Sequence, residues 1–101
     1  SINLKLNNDS NKIIIQNGST DINLSGHCSY FYFYNEGFGP LKAFELEAKK
    51  THIHSNSISN SEINVTEQLN AEIRNNGNIY YKGTPTIIQT TNSGNGRLIP
   101  Q

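Results

Sequence analysis

"VTEQLNAEIRNNGNIYYKGTPTIIQTTNSGNGRLIPQ", residues 65–101, carries one short phrase twice. "IRNNGNI" (residues 73–79) and "NSGNGRL" (residues 92–98) share a plan: a polar corner containing glycine, then the start of an apolar strand. A phrase that recurs after about twenty residues marks a solenoid, in which each repeat buries its apolar side only by stacking on the next.

The same phase runs upstream. The first apolar residues after successive corners are Ile22, Leu41, Ile63, Ile79 and Leu98, spaced by 19, 22, 16 and 19. Two residues further on stand Leu24, Ala43, Val65, Tyr81 and Pro100, as expected if every second side chain of a strand points inward. Before each corner, Asn35, Ser57, Ile73 and Asn92 correspond, and Ile15 joins them after one insertion. Just upstream, Ile13, Phe31, Phe33, Ile53, Leu69, Ala71 and Ile88 make a second inward ladder. The corners are Asn17-Gly18, Gly37 and Gly39, Asn60-Ser61, Asn76-Gly77 and Asn95-Gly96, residue types that tolerate the positive φ of a sharp turn. The chain is therefore all-β, with about five short coils in one domain over residues 1–101. Helix competes poorly. In "LKAFELEAKK" (residues 41–50), Phe44, Leu46 and Ala48 alternate with Glu45 and Glu47 at the strand period. In "VTEQLNAEI", Thr66 begins a capping box that ends on Leu69 rather than on Glu or Gln.

Composition agrees with a stack of strands and polar corners. The chain is 34% hydrophobic and 16% charged, low for a domain with one central core. Evenly spread Ile, Tyr and Phe nevertheless argue against disorder. Asparagine makes up about one residue in six, which suits corners where short side chains bond the backbone. Eight basic and eight acidic residues cancel, and without a basic cluster there is no surface to track phosphates, which argues against a nucleic-acid partner. No segment nears the roughly 18 apolar residues of a membrane span. The start at Ser1, inside the strand-like "INLKL", suggests a processed boundary. A lone Cys28 precludes an internal disulfide and a zinc site built on several thiolates.

Three blocks resemble the autotransporter-adhesin family with a head GIN domain, whose pattern is a recurring "SGSGDI" turn-strand unit. They are Leu69-Asn70-Ala71-Glu72-Ile73, then Ile79-Tyr80-Tyr81-Lys82-Gly83-Thr84-Pro85, then Ser93-Gly94-Asn95-Gly96-Arg97-Leu98. "EGFGPLKAFELEAKK" and "TDINLSG" follow the pattern more loosely. Two departures stand out: "RNNGN" replaces the usual Ser-Gly corner, and residues 55–61 lack glycine. The resemblance implies a right-handed parallel β-helix-like solenoid, export to the periplasm or cell surface, and a domain longer than this chain. It implies no active site and no cofactor.

The run Tyr30-Phe31-Tyr32-Phe33-Tyr34 is the most unusual local feature, because strand alternation cannot bury all five rings. The ladder phase puts Phe31 and Phe33 inside and Tyr30, Tyr32 and Tyr34 outside. It sets His54 beside Tyr32 and His52 beside Tyr30, with Asn70 and Glu72 one coil further on. Such a face is a ladder that stabilises the sheet, a contact with a protein or a second copy, or a platform for a surface glycan. His52 and His54, with His27 or Cys28, raise the thought of a metal, but no third ligand has a dependable position. Asp9 and Asp21 sit in or beside turns, and Glu45, Glu47, Glu62, Glu67 and Glu72 scatter over several coils. No paired carboxylates or activated nucleophile emerge, so no catalytic residues are assigned. The Asn-x-Ser/Thr triplets at Asn8, Asn17, Asn23 and Asn64 are expected by chance in this composition. The function expected is an adhesin or envelope binding module acting through the Tyr30/Tyr32/Tyr34 and His52/His54 face. The alternative is self-association through uncapped end coils, where Ile2, Leu4 and Leu6 open the chain, and a glycan-active enzyme is a distant third.

Overall fold

The computed structural model describes residues 2–16, 19 and 21–101; the Asn17-Gly18 corner and the Asn17 triplet lie outside them. Four long strands come first: β1 (Ile2–Ile15), β2 (Ile22–Asn35), β3 (Leu41–Ser55) and β4 (Ser61–Ile73). Three short ones follow: β5 (Ile79–Lys82), β6 (Ile87–Asn92) and β7 (Leu98–Pro100). Every pairing is parallel, in the order β1-β2-β3-β4-β5-β7, while β6 pairs with the second half of β4.

Length alone excludes a flat sheet. A straight strand of 14 residues would reach about 46 Å, yet the molecule measures 29 × 29 × 20 Å. Between β2 and β3 only residues 36–40 return the chain, and five residues span at most about 18 Å. Flat parallel strands need a crossover of about a dozen residues or more. Each long strand must therefore bend around the core, so that one coil closes on itself and rises onto the next. The chain is a parallel β-solenoid of about five coils.

Register defines the columns of the core. The first inward column is Ile22, Leu41, Ser61, Ile79 and Leu98. Ile63 instead aligns with Tyr81 and Pro100, taking the rung that hydrophobicity assigns to Val65. The spacings become 19, 20, 18 and 19, more regular than a search for apolar residues allows. Hydrophobicity passes over Ser61 because it is polar, although it is 0% exposed. The pre-corner column is corrected in the same way: Asn35 aligns with Ser55, not Ser57. The remaining ladder residues fall as expected. Phe31, Thr51 and Leu69 form one column, continued by Ile88, which is exposed on the last coil; Ile13, Phe33, Ile53 and Ala71 form the next. Phe31, Phe33, Leu41, Ile53, Leu69, Ile73 and Ile79 are fully buried, and burying each such side chain contributes about 1.5–3 kcal/mol.

"LKAFELEAKK" is strand, but its alternation breaks at Phe44. Between β2 and β3 the register jumps from Asn23↔Lys42 to Ser25↔Glu45. The extra residue on β3 is a β-bulge; it leaves Ala43 and Leu46 inside with Phe44 and Glu45 both outward between them, Phe44 half-buried.

Corners are held by stacking rather than by unusual dihedrals. No described asparagine has positive φ, and among the described corner glycines only Gly39 does. The asparagines act as caps instead. Asn35 Oδ1 accepts from the Gly37 amide and Asn92 Oδ1 from the Gly94 amide. Asn60 Oδ1 accepts from Asn78 N, and Asn78 Oδ1 from Arg97 N, each at 2.9 Å, so these caps reach from one coil to the next. Two positions before the first inward column stand Gly39, Ser59, Gly77 and Gly96. A Cβ on Gly96 would lie 2.0 Å from the Gly77 carbonyl oxygen, and one on Gly77 would lie 2.1 Å from that of Ser59. Glycine is required here for close approach. Ser59 fits between two glycines and turns its hydroxyl to accept from the Gly39 amide at 2.8 Å, which explains the glycine-free corner.

Gly96→Ala should destabilise the protein by about 2–3 kcal/mol, because its methyl meets backbone that cannot move aside. Urea denaturation measures this, and a loss below about 0.5 kcal/mol would show that the corners are not in contact.

Candidate functional site

On the outer surface, the second halves of the coils build a grid of side chains in three columns. They are Ser10, Tyr30, Lys50, Gln68 and Ile87; then Lys12, Tyr32, His52, Asn70 and Gln89; then Ile14, Tyr34, His54, Glu72 and Thr91. Alternation puts them there, since the intervening Phe31 and Phe33 are each 1% exposed. The two-residue correction at Ser55 carries over to this face. Tyr32 stands beside His52 and Tyr34 beside His54, while Tyr30 neighbours Lys50. Sequence phasing sets His54 beside Tyr32 and His52 beside Tyr30; it counts from Ser57 and so slips by one strand period.

The rings stack along the coil axis. Tyr32 and His52 have centroids 5.0 Å apart and planes 13° apart; for Tyr34 and His54 the values are 4.3 Å and 12°. From β1, Lys12 Nζ lies over the Tyr32 ring at 5.2 Å, a cation–π contact. Tyr32 is thus covered on both faces. For Tyr32 the ring edge, and not a face, meets solvent. Tyr30 is 39% exposed and has no stacking partner among the described residues.

A carboxylate closes the stack. His54 Nδ1 donates to Glu72 Oε2 at 2.7 Å; a carboxylate only accepts, so Nδ1 carries the proton. His52 Nε2 lies 4.0 Å from the other oxygen. The hydrogen bond from His54 holds the Glu72 carboxyl below its ordinary value of 4.5, helped by the charges of His54, His52 and Arg74 against partial desolvation. Tyr34 fixes its own hydroxyl by donating to Glu36. His54 is consequently 9% exposed, an outward residue that its neighbours cover.

Other candidate groups do not join this face. His27 is exposed on β2 and aligns with Asn7 and Glu47, while Cys28 next to it points inward. Burial pushes the Cys28 thiol above its ordinary value. Among the described residues no three of His, Cys, Asp or Glu converge in a metal-binding geometry. Most carboxylates lie away from this face: Asp9 is exposed on β1, Asp21 lies between β1 and β2, Glu47 is on β3 and Glu67 on β4, while Glu45 of β3 and Glu62 of β4 line one recess. That recess, beside Phe44, draws its lining from β1 to β4, a juxtaposition that spacing along the chain does not reveal.

The sign of Glu72's contribution follows from its lowered pKa. Stability from the ionised carboxylate is present above pH 4.5 and is lost as pH falls through the lower, folded-state value. Glu72→Gln should therefore cost about 1 kcal/mol at neutral pH and progressively less in acid. Denaturation curves across that range test this, and a difference that grows on acidification contradicts it.

A family model described as "Putative auto-transporter adhesin, head GIN domain" matches residues 1–85. That span includes the motifs at residues 69–73 and 79–85 and ends before the corner at residues 93–98. A solved structure of a putative adhesin from Bacteroides fragilis matches with a TM-score of 0.81 and 24% identity over 98% of this chain. The likeness is one of fold, and the chain spans 53% of that protein's length. No curated protein matches. With all four long strands inside the matched span, the chain belongs to the head GIN domain family of auto-transporter adhesins.

Proposed function

We propose that this chain is a non-catalytic binding module of an exported, adhesin-type protein. It contacts a partner at the cell envelope through the face carrying Tyr30, Tyr32, Tyr34, His52 and His54. The observation that carries this reading is the pair of Tyr–His stacks tied down by Glu72 and Lys12. Side chains already held in one rotamer lose little entropy on binding, so a rigid ladder is an economical recognition surface. Family membership supports an adhesin-like role.

The chemistry of the face favours a protein surface over a stacked sugar. Covered ring faces cannot take a pyranose, whereas ring edges, the Tyr30 ring, Lys50 and Gln68 offer the mixed apolar and hydrogen-bonding contacts of protein interfaces. Self-association uses the same argument with a second copy as the partner. The exposed Ile2, Leu4, Ile87 and Ile88 on the outermost coils add apolar surface that a copy could cover.

Tyr30→Ala is the cleanest test, because Tyr30 is exposed and unstacked. Attachment of the purified protein to bacterial envelope fractions should fall at least about tenfold with the melting temperature unchanged. Normal attachment by both Tyr30→Ala and Tyr32→Ala would exclude this face. In sedimentation experiments a mass that rises with concentration, and falls back in Tyr30→Ala, would identify the partner as a second copy.

A further inference from the structure

A second outer surface, formed by the first halves of the coils, contains a recess of about 510 Å³, within the range of small-ligand sites. Its central feature is Phe44. Counted from Leu41 and Ala43 this ring points outward, and the β3 bulge directly after it keeps Glu45 on the same side; bulges commonly sit beside binding sites. Lys82 Nζ lies over the ring at 5.3 Å. Lys82 belongs to β5, on the far side of β3 from β2 in the sheet order. The recess extends mainly the other way, toward β1 and β2, where the neighbours Asn3, Asn23 and Ser25 are short, and Glu62 on β4 completes its lining. The side of Phe44 away from Lys82 thus borders a trough, which is what the stacked Tyr32 and His52 rings lack.

The walls are largely apolar, and the charged groups that line them are balanced in number. Lys5 and Lys42 face Glu45 and Glu62 around the ring. Lys42 and Glu62 are register partners, yet among the described residues the ion pairs within 4.0 Å are those of Glu72 with His52 and His54. Two ammonium and two carboxylate groups with no mutual contact leave donors and acceptors free, and the lining carries no net charge to draw an ionic ligand. The amides of Asn3 and Asn23 add both kinds of group.

We propose that this recess is a binding site for a neutral saccharide, separate from the Tyr/His face. A pyranose stacks its apolar C–H face against Phe44, and its hydroxyls bond to Asn23, Lys42 and Glu62. A flat apolar ring combined with surrounding hydroxyls is the ligand chemistry that matches an aromatic floor inside a rim of unpaired polar groups. A charged saccharide would leave one pair of like charges repelled.

The test is heteronuclear NMR titration with gluco-, galacto-, manno- and N-acetylhexosamine-based neutral trisaccharides. At least one is expected to bind in the millimolar range or tighter and to shift the amides of Asn23, Phe44 and Glu62. Phe44→Ala should weaken it at least tenfold, Phe44→Tyr should retain it, and Tyr30→Ala should leave it unchanged. Should Phe44→Ala fail to fold, Glu62→Gln with Lys42→Gln is expected to give a comparable loss in a surface variant. Absence of binding by the whole panel, shifts confined to other faces, or preference for a sulfated trisaccharide would each overturn the assignment. None of these outcomes depends on Tyr30, so the two surfaces stand or fall separately.

Discussion

Everything in this molecule depends on how closely one corner lies on the next. At each corner the first amide after a strand donates to the last carbonyl of the strand below: Glu36 to Ile15, Asn56 to Asn35, Arg74 to Ser55 and Ser93 to Ile73. Where the next strand begins, a second set runs from Ile22 to Pro40, Leu41 to Asn60, Ser61 to Asn78 and Ile79 to Arg97. These bonds require corners of nearly equal length in contact through their backbones. Glycines at 77 and 96 permit that contact, and the cross-coil caps of Asn60 and Asn78 fix its register. Because parallel coils are then locked at both ends of each long strand, irregularities can be absorbed only in between, which is where the β2–β3 and β3–β4 register shifts occur.

This division explains what could be read from the chain. Corners repeat their chemistry, so the solenoid, its coil number and the strand nature of residues 41–50 and 65–73 were legible. Alternation at residues 30–34 correctly separated Phe31 and Phe33 from the three tyrosines, since two fully buried rings leave no choice of face. The exact pairing was not legible. Ser61 and Ser55 occupy inward rungs as small polar residues, and a pattern that looks for apolar side chains steps past both to Ile63 and Ser57. That step moved both histidines by two positions against the tyrosines. The side of Phe44 was not legible for a different reason: counted with Leu46 and Ala48 it falls inward, counted from Leu41 and Ala43 it falls outward, and nothing in the local sequence encodes the bulge that reconciles the two.

Register also sorts the aromatic residues by the use they can serve. On one surface the rings cover each other, Lys12 and Glu72 close the ends, and the result is a stiff wall with polar edges. On the other, Phe44 stands beside a trough with unpaired polar groups around it. Ladder stacking and ligand stacking compete for the same ring faces, so a solenoid that invests in the first reserves ligand contact for edges or for a residue removed from the ladder. An adhesin-type scaffold can thereby present two chemically different surfaces on one short core.

The two-residue choice of register decides which account of the outer face is correct. Nuclear Overhauser contacts between aromatic protons resolve it directly, because paired rings sit about 4–5 Å apart and rings displaced by one strand period lie about 7 Å apart or more. Contacts from Tyr32 to His52 and from Tyr34 to His54, with none stronger from Tyr32 to His54, are the expected result. Strong contacts from Tyr30 to His52 and from Tyr32 to His54 would contradict it.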